Sequence, residues 1–598
     1  MADARAAGTP ASDESSQAVD ALAAGSDLVV AFDGVLYNAA DLAITLSVPA
    51  VAGSTGVDPV ALLAAAYRRW GDALASRLDG DFAFVIWDPA QARAVAATDP
   101  AGVRPLHVVH EPGLHFSFAS EGIALGQLLG LDLRIPESRV VEQTVNALEL
   151  LGYPEPLVCG VHRLPAAHGC VARSRELVVS EYWSPGLVSP PGLRDDDVDG
   201  WVEGFSWHLQ QAVAKRMTQT ATGQGVMFSG GLDSSSVLAL AYRHLGVGGI
   251  PTFSLVDSND PDCPETRAIE RMNRFCDTAP TRIDVAACAG AATQALAIIG
   301  AAPRPMSGRA AFLHACYARA SAQGVQVVMD GLDADALLSY SGIGASLLRQ
   351  GRFRDFQRAA GDFSRLRNGR ASNEFALARG LLKVAVPAGL RRVVSSLRSD
   401  VARADWLTDS LLNRETAARF GLKARLAGLD AMTATKPGEP APGLKSSMAS
   451  LVTRDGIART NARAAQHGLE LRHPFMDRAL MDFCAWLPLD VRLREGWTKW
   501  VMRKGMEALL PHDIAWRRDK THIGAKFDRI VLQPVLERLM LDLPRGVAAV
   551  QAYVDRDAVL ALANRWQRGE ISAVWRLTPV LLLEHWLQGN RDNVAWGH

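Results

Sequence analysis

The chain has 598 residues, a net charge of −1, 48% hydrophobic residues and 21% charged ones. That length exceeds what a single hydrophobic core supports, so two or more domains are expected. The balanced charge excludes the usual signature of a nucleic-acid or membrane-surface binder, and no apolar run is long enough for a membrane span.

Residues 1–26 are rich in Ala, Ser and Asp, with neither a basic start nor an apolar stretch, and read as a disordered leader, not a signal peptide. From Asp27 to Trp183 short β-like segments recur: Leu28–Phe32, Phe82–Trp87, Arg93–Thr98, Leu106–Val109, His115–Ala119 and Cys170–Ala172. One helical pattern, Pro59–Trp70, lies among them, and together they predict an antiparallel α+β layer over 27–183. Ser184–Asp199, with Pro185, Pro190, Pro191 and the acidic run Asp195-Asp196-Asp197, reads as a solvated linker. The seven cysteines are scattered and include no C-x-x-C pair, which fits small core residues in a reducing cytoplasm and argues against a disulfide framework or zinc site.

Beyond the linker the pattern changes. An amphipathic helix over Trp201–Met217 precedes Gly225-Val226-Met227-Phe228-Ser229-Gly230-Gly231-Leu232-Asp233-Ser234-Ser235, which reads as a strand, a tight turn and a helix start. Such a junction points backbone N–H groups and the positive end of a helix at one spot, so it binds anions. Asp233 would repel a phosphate unless a divalent cation bridged the two, and the loop therefore points to a magnesium nucleotide. It is not a Walker A loop, since no Gly-Lys-[Ser/Thr] follows. Strand Thr252–Val256, helix Glu265–Phe275 and helix Ala311–Ala322 continue the alternation, which predicts a parallel, doubly wound α/β sheet. Val325–Leu338 repeats the strand-to-turn logic and places Asp330, Asp333 and Asp335 at the edge where such sheets bind ligands. Residues 341–444 form a helical, basic insertion, read either as solvated helix faces or as a surface for an acidic peptide; stacking aromatics are too few for nucleic acid.

The string S-G-G-L-D-S-S resembles the pyrophosphate loop of the ATP-pyrophosphatase (adenine nucleotide alpha hydrolase-like) superfamily, in the form found in asparagine synthetase and its relatives. Phe32–Leu42, Leu78–Asp88, Thr98–Val108 and Phe116–Leu125 resemble the glutaminase half of that family, in the right order. The first half is thus expected to be an N-terminal-nucleophile-like domain. Those glutaminases use a cysteine as the first residue of the mature chain, whereas here the sequence opens Met1-Ala2 and its first cysteine is Cys159. Processing behind the leader would expose none either, so a degenerate glutaminase with a structural or docking role is expected. Gly468–Phe483 and Thr498–Pro511 extend the resemblance through the second half, 200–598.

What the resemblance implies for the site follows residue by residue. Ser229, Gly230, Gly231, Leu232, Asp233, Ser234, Ser235, Gly331 and Lys499 would contact the nucleotide or pyrophosphate, with adenine against the backbone of Ser254, Leu255 and Val256. Asp233 and Asp335 would be the magnesium ligands. Arg518 and Lys520 match the family's catalytic lysine segment, with Lys526 as the fallback lysine. A glutamate (asparagine synthetase) or tyrosine (β-lactam synthetase) stands in relatives where this chain has Leu332. Without an ammonia source, the amine is expected to belong to the substrate, and the chain most resembles the lasso peptide macrolactam cyclases. These adenylate an Asp or Glu side chain of a precursor peptide with ATP and close a ring on its N-terminal amine. The precursor peptide is then the partner, with a leader-peptide protease and a leader-recognition protein as further candidates, and no nucleic acid or membrane. Two alternatives stay open: an amide-forming ligase on a small substrate, and a non-catalytic binding protein on a dead synthetase scaffold.

Overall fold

The computed structural model describes residues 27–50, 57–142, 144–145, 158–186, 190, 192–217, 223–285, 292–302, 310–338, 352–354, 356–358, 410–426, 451–518 and 523–595. The leader 1–26, Lys520 and most of the insertion 341–444 lie outside the described residues.

In the first half, five antiparallel strands are ordered Val29–Leu36, Gly80–Asp88, Arg93–Thr98, His168–Ala172, Leu177–Glu181. The interior strand Gly80–Asp88 is buried on both sides because its alternate residues serve two cores. Phe82, Phe84 and Ile86 face the helices Ala39–Leu46 and Pro59–Trp70, while Ala83 and Val85 face Leu106, Val108 and Leu164. A second sheet, His115–Ala119, His107–Glu111 and His162–Arg163, covers that latter face. The helix Pro59–Trp70 starts where the sequence predicts: Pro59 needs no N–H partner, and Asp58 accepts from Val60 N at 2.9 Å.

In the second half, five parallel strands are ordered Ala279–Asp284, Pro251–Val256, Gln224–Met227, Val327–Met329, Glu470–Arg472. Period two again divides the side chains. Phe253, Leu255 and Val328 pack with helices Ile523–Arg545 and Ile571–Asn590. Val226, Val256 and Met329 pack on the opposite face with helices Val198–Arg216, Leu232–Leu245 and Arg478–Trp486. Burial on both faces explains why these strands read as near-continuous apolar runs.

The linker reading needs correction at its end. The first helix of the second half begins at Val198, not Trp201, because Asp197 caps it by accepting from Gly200 N at 2.9 Å. Asp197 is therefore a helix cap that remains exposed to solvent, like Asp195 and Asp196. The linker's start is also fixed, since Asp482 accepts from Trp183 Nε1 (3.3 Å) and Gly186 N (2.9 Å). Among the described residues no cysteine forms a disulfide, and no helix is long and apolar enough to cross a membrane.

Candidate active site

The loop after strand Gln224–Met227 turns at Gly230, whose φ of +68° suits glycine. A Cβ there would also sit 3.0 Å from Ala268 Cβ, so the loop is pressed against the next helix. Gly231 is the N-cap of the helix Leu232–Leu245 and supplies no side-chain acceptor, leaving the first-turn amides open toward the cleft. Ser229 and Ser234 close the loop on itself: Ser229 N donates to Ser234 Oγ, and the two hydroxyls are 3.2 Å apart. The second loop approaches so closely that a Cβ on Gly331 would lie 2.6 Å from Ser234 N.

Lys499 joins the two loops. Its Nζ lies 2.7 Å from both carboxylate oxygens of Asp233 and 2.6 Å from Asp335. Burial alone would lower the lysine's pKa, but the two carboxylates outweigh it and hold the group above its ordinary value. Lys499 itself has φ +54°, a left-handed conformation uncommon outside glycine and worth about 1–3 kcal/mol of local strain. Asp233 and Asp335 thus converge on one cation from different elements, and both are hard oxygen donors suited to magnesium. Among the described residues no three His, Cys, Asp or Glu side chains are grouped to hold a metal unaided, so phosphate oxygens would have to complete its shell.

The cleft around this point has a volume of about 540 Å³. Ser229, Gly231, Leu232, Asp233, Ser234, Leu255, Gly331, Asp335, Lys499 and Arg518 line it, together with Leu332. Gly230, Ser235, Ser254 and Val256 do not. Ser254 donates its hydroxyl to Phe228 O at 2.7 Å, and Val256 alternates onto the opposite core. Ser235 is fully buried behind the loop. The three acidic residues of the second loop also differ from one another. Asp335 is exposed, whereas Asp330 is buried and paired with His473 at 2.9 Å, so it is no solvated turn carboxylate. Burial foremost, with Asp330 and Asp335 adding repulsion, pushes Asp333 up to about 7.

Sequence reasoning missed Trp497, Arg503 and Arg517 in the cleft, whereas Arg518 was expected there. Arg503 and Arg518 lie over the ring of Trp497, at 5.0 and 4.4 Å, and Arg517 donates to Gly230 O at 3.2 Å. Burial brings Arg503 down to about 10, with Arg518 repelling it and Asp233 opposing the shift. The clue was present in the basic run Arg517-Arg518, but only folding brings Trp497 and Arg503 beside it. Lys526, the fallback lysine, is held by Asp257 (2.6 Å) and Asp260 (2.9 Å) and is not among the cleft-lining residues.

Residues 205–588 match the family described as Asparagine synthase, and residues 1–183 match a Glutamine amidotransferase domain. A Mycobacterium tuberculosis protein assigned as a glutamine-hydrolysing asparagine synthetase is 28% identical over 528 residues, 82% of this chain and 74% of that one. Asparagine synthetase 1 of Bacillus subtilis is 22% identical over 588 residues, 93% of this chain and 85% of its own. A solved glutamine phosphoribosylpyrophosphate amidotransferase from B. subtilis overlaps 37% of this chain and 44% of its own, at 18% identity and a TM-score of 0.18, a likeness too slight to carry weight.

Proposed function

Since the chain belongs to the asparagine synthase family and is an ATP-dependent amide ligase, we propose that it activates a carboxylate of a peptide and joins it to an amine of that same peptide, as a lasso peptide cyclase does. The observation that carries this reading is the lack of any cysteine in residues 1–158, although residues 1–183 match an amidotransferase domain. A glutaminase of this type needs a thiol nucleophile. With none there, glutamine supplies no nitrogen, and the substrate must bring its own amine. Leu332 at the cleft supports the same reading, because an alkyl side chain can neither take a proton nor bind the charged ends of a small amino acid.

In this reading the nucleotide's phosphates lie at the open amides of Leu232–Ser234, with Lys499, Arg517 and Arg518 offsetting their charge. Asp233 and Asp335 would hold magnesium, which when bound supplies positive charge to the phosphate oxygens. The substrate carboxylate attacks the α phosphorus, pyrophosphate leaves, and the amine then displaces AMP from the acyl-adenylate. Lys520 and Arg518 would stabilise the oxyanion of that second step.

The test is product analysis. With ATP, magnesium and a leader-free core peptide, AMP and pyrophosphate should form, and tandem mass spectrometry should place the loss of one water between the N-terminal amine and one acidic side chain. The relatives' names favour a second reading, asparagine formation from a small substrate. Free asparagine, or a small lactam formed faster than the peptide ring, would establish that reading or its β-lactam counterpart instead.

A further inference from the structure

Two residues that line the cleft each carry a buried oxygen with no hydrogen-bond partner among the described residues: Asp330, at Oδ2, and Tyr317, at its hydroxyl. Asp330 is 5% exposed and Tyr317 1%. They come from different elements, Asp330 from the end of strand Val327–Met329 and Tyr317 from helix Ala310–Ala322. They are close enough that the aspartate's charge raises the phenol's pKa, second only to burial. Buried polar atoms are rarely left unmatched, and where they are, a ligand or ordered water is the usual reason.

The remaining contacts of Asp330 fix its charge. Asn461 donates from Nδ2 to Val103 O at 3.0 Å, which turns its Oδ1 toward His473 Nε2 at 3.1 Å. That ring nitrogen must therefore donate. The other, Nδ1, lies 2.9 Å from Asp330 Oδ1, which also accepts from Leu332 N at 3.1 Å. Both ring nitrogens donate only if His473 is an imidazolium and Asp330 a carboxylate. Burial opposes the charged histidine, but Asp330 outweighs it and holds the His473 pKa above its ordinary value. Oδ1 is thus occupied and locked, while Oδ2 carries negative charge with no hydrogen-bond donor to receive it among the described residues. The chain Val103–Asn461–His473 also anchors this aspartate to the first half of the molecule.

We infer that Asp330 Oδ2 and the Tyr317 hydroxyl form a subsite for a primary ammonium group, the acyl-acceptor amine of the substrate. A primary ammonium has three donors in a compact head, enough to satisfy both oxygens at once. Phe253, Leu255, Phe312 and Leu313 line the same cleft and would take the apolar part of the residue bearing that amine. The inference rests on the proposed reading for the identity of the acceptor, and it assigns that amine a place which Leu332 cannot provide.

The test reads binding without ATP, so it does not depend on the reaction. Phenylalaninamide, which carries a free α-amine beside an apolar side chain, is titrated into the full chain by calorimetry, with N-acetylphenylalaninamide as the uncharged control. Saturable binding of the amine, and none of the acetylated control, is expected. N-acetyllysinamide separates the two sources of such a group: binding as tight as phenylalaninamide would assign the subsite to a lysine side chain and overturn the α-amine placement. Asp330→Asn should weaken binding about tenfold or more and Tyr317→Phe severalfold, since charged hydrogen bonds outweigh neutral ones. Tyr317→Phe removes only an unmatched hydroxyl, so its melting temperature should equal or exceed that of the unmodified chain even if Asp330→Asn loosens the His473 pair. Equal binding of the acetylated control, or unchanged amine binding in both variants, overturns the subsite. Failed amine binding alongside intact AMP formation would remove the subsite and leave the reaction standing; the reverse result would keep the subsite and remove the reaction.

Discussion

At the seam between the two halves, Arg216 is 2% exposed, yet it has anions on two sides. It donates to Asp477 at 3.0 Å and to Asp81 at 3.3 Å and lies 4.6 Å from the ring centre of Tyr37, whose hydroxyl donates to Asp81. Lys215 spans Asp79 and Asp477 beside it. Apart from Nε of Arg216, this network closes on itself. The cleft is different. Arg503 and Arg518 share the face of one tryptophan, Lys499 draws two carboxylates together, and Asp330 and Tyr317 keep unmatched oxygens. Charge that is matched within the chain holds domains together; charge left unmatched is kept for something that arrives.

The contrast can be broken from either side. The largest effect is expected from Asp335→Ala, which should abolish AMP formation. Asp335 is exposed, so the melting temperature should stay nearly unchanged. An unchanged rate would remove the residue from the site. At the seam, Arg216→Met should destabilise the chain by about 3–5 kcal/mol, because it leaves Asp81 and Asp477 buried without their cation. Urea unfolding reads this directly, and a loss within experimental error would make the seam's charges dispensable. Under the proposed function, Lys520→Ala should cost on the order of 10²–10³ in turnover by analogy with an oxyanion donor, with nucleotide affinity changed less. Lys526→Ala, which removes a half-exposed ion pair, should cost under about 1 kcal/mol of stability and little rate. If Lys526→Ala is the dead variant, the roles of the two lysines are exchanged.

The smallest effect is in pH. Burial would raise the pKa of Asp477, but Arg216 and Lys215 outweigh it and hold the carboxyl below its ordinary 3.8. Its contribution to stability is therefore complete above 3.8 and is lost as pH falls through the lower, folded value. Arg216→Met should flatten that part of the stability profile, and a profile parallel to that of the unmodified chain would mean that other carboxyls set it.

The fold was legible where local patterns suffice. Pro59–Trp70 carries its own cap and apolar stripe, and strands Arg93–Thr98 and His115–Ala119 begin and end where the sequence places them. The strand, turn and helix start around Asp233 were legible for the same reason, since they are contiguous in sequence. What escaped depends on distance in sequence. The bond from the Ser254 hydroxyl to Phe228 O joins neighbouring strands and has no local signal. Nothing near Asp330 announces His473, which is 143 residues away, or the tyrosine on a separate helix. Trp497 became part of the cleft only because the segment before helix Trp500–Met506 folds back between two arginines.

The central claim is that the amine comes from the substrate and not from glutamine, and the direct measurement follows the nitrogen. The chain is incubated with ATP, magnesium, the core peptide and glutamine whose amide carries the heavy isotope of nitrogen. The account predicts no glutamate above a no-enzyme control, and a cyclised peptide without label. Label in any amide product, or steady release of glutamate, would contradict it and restore the first half as a working glutaminase.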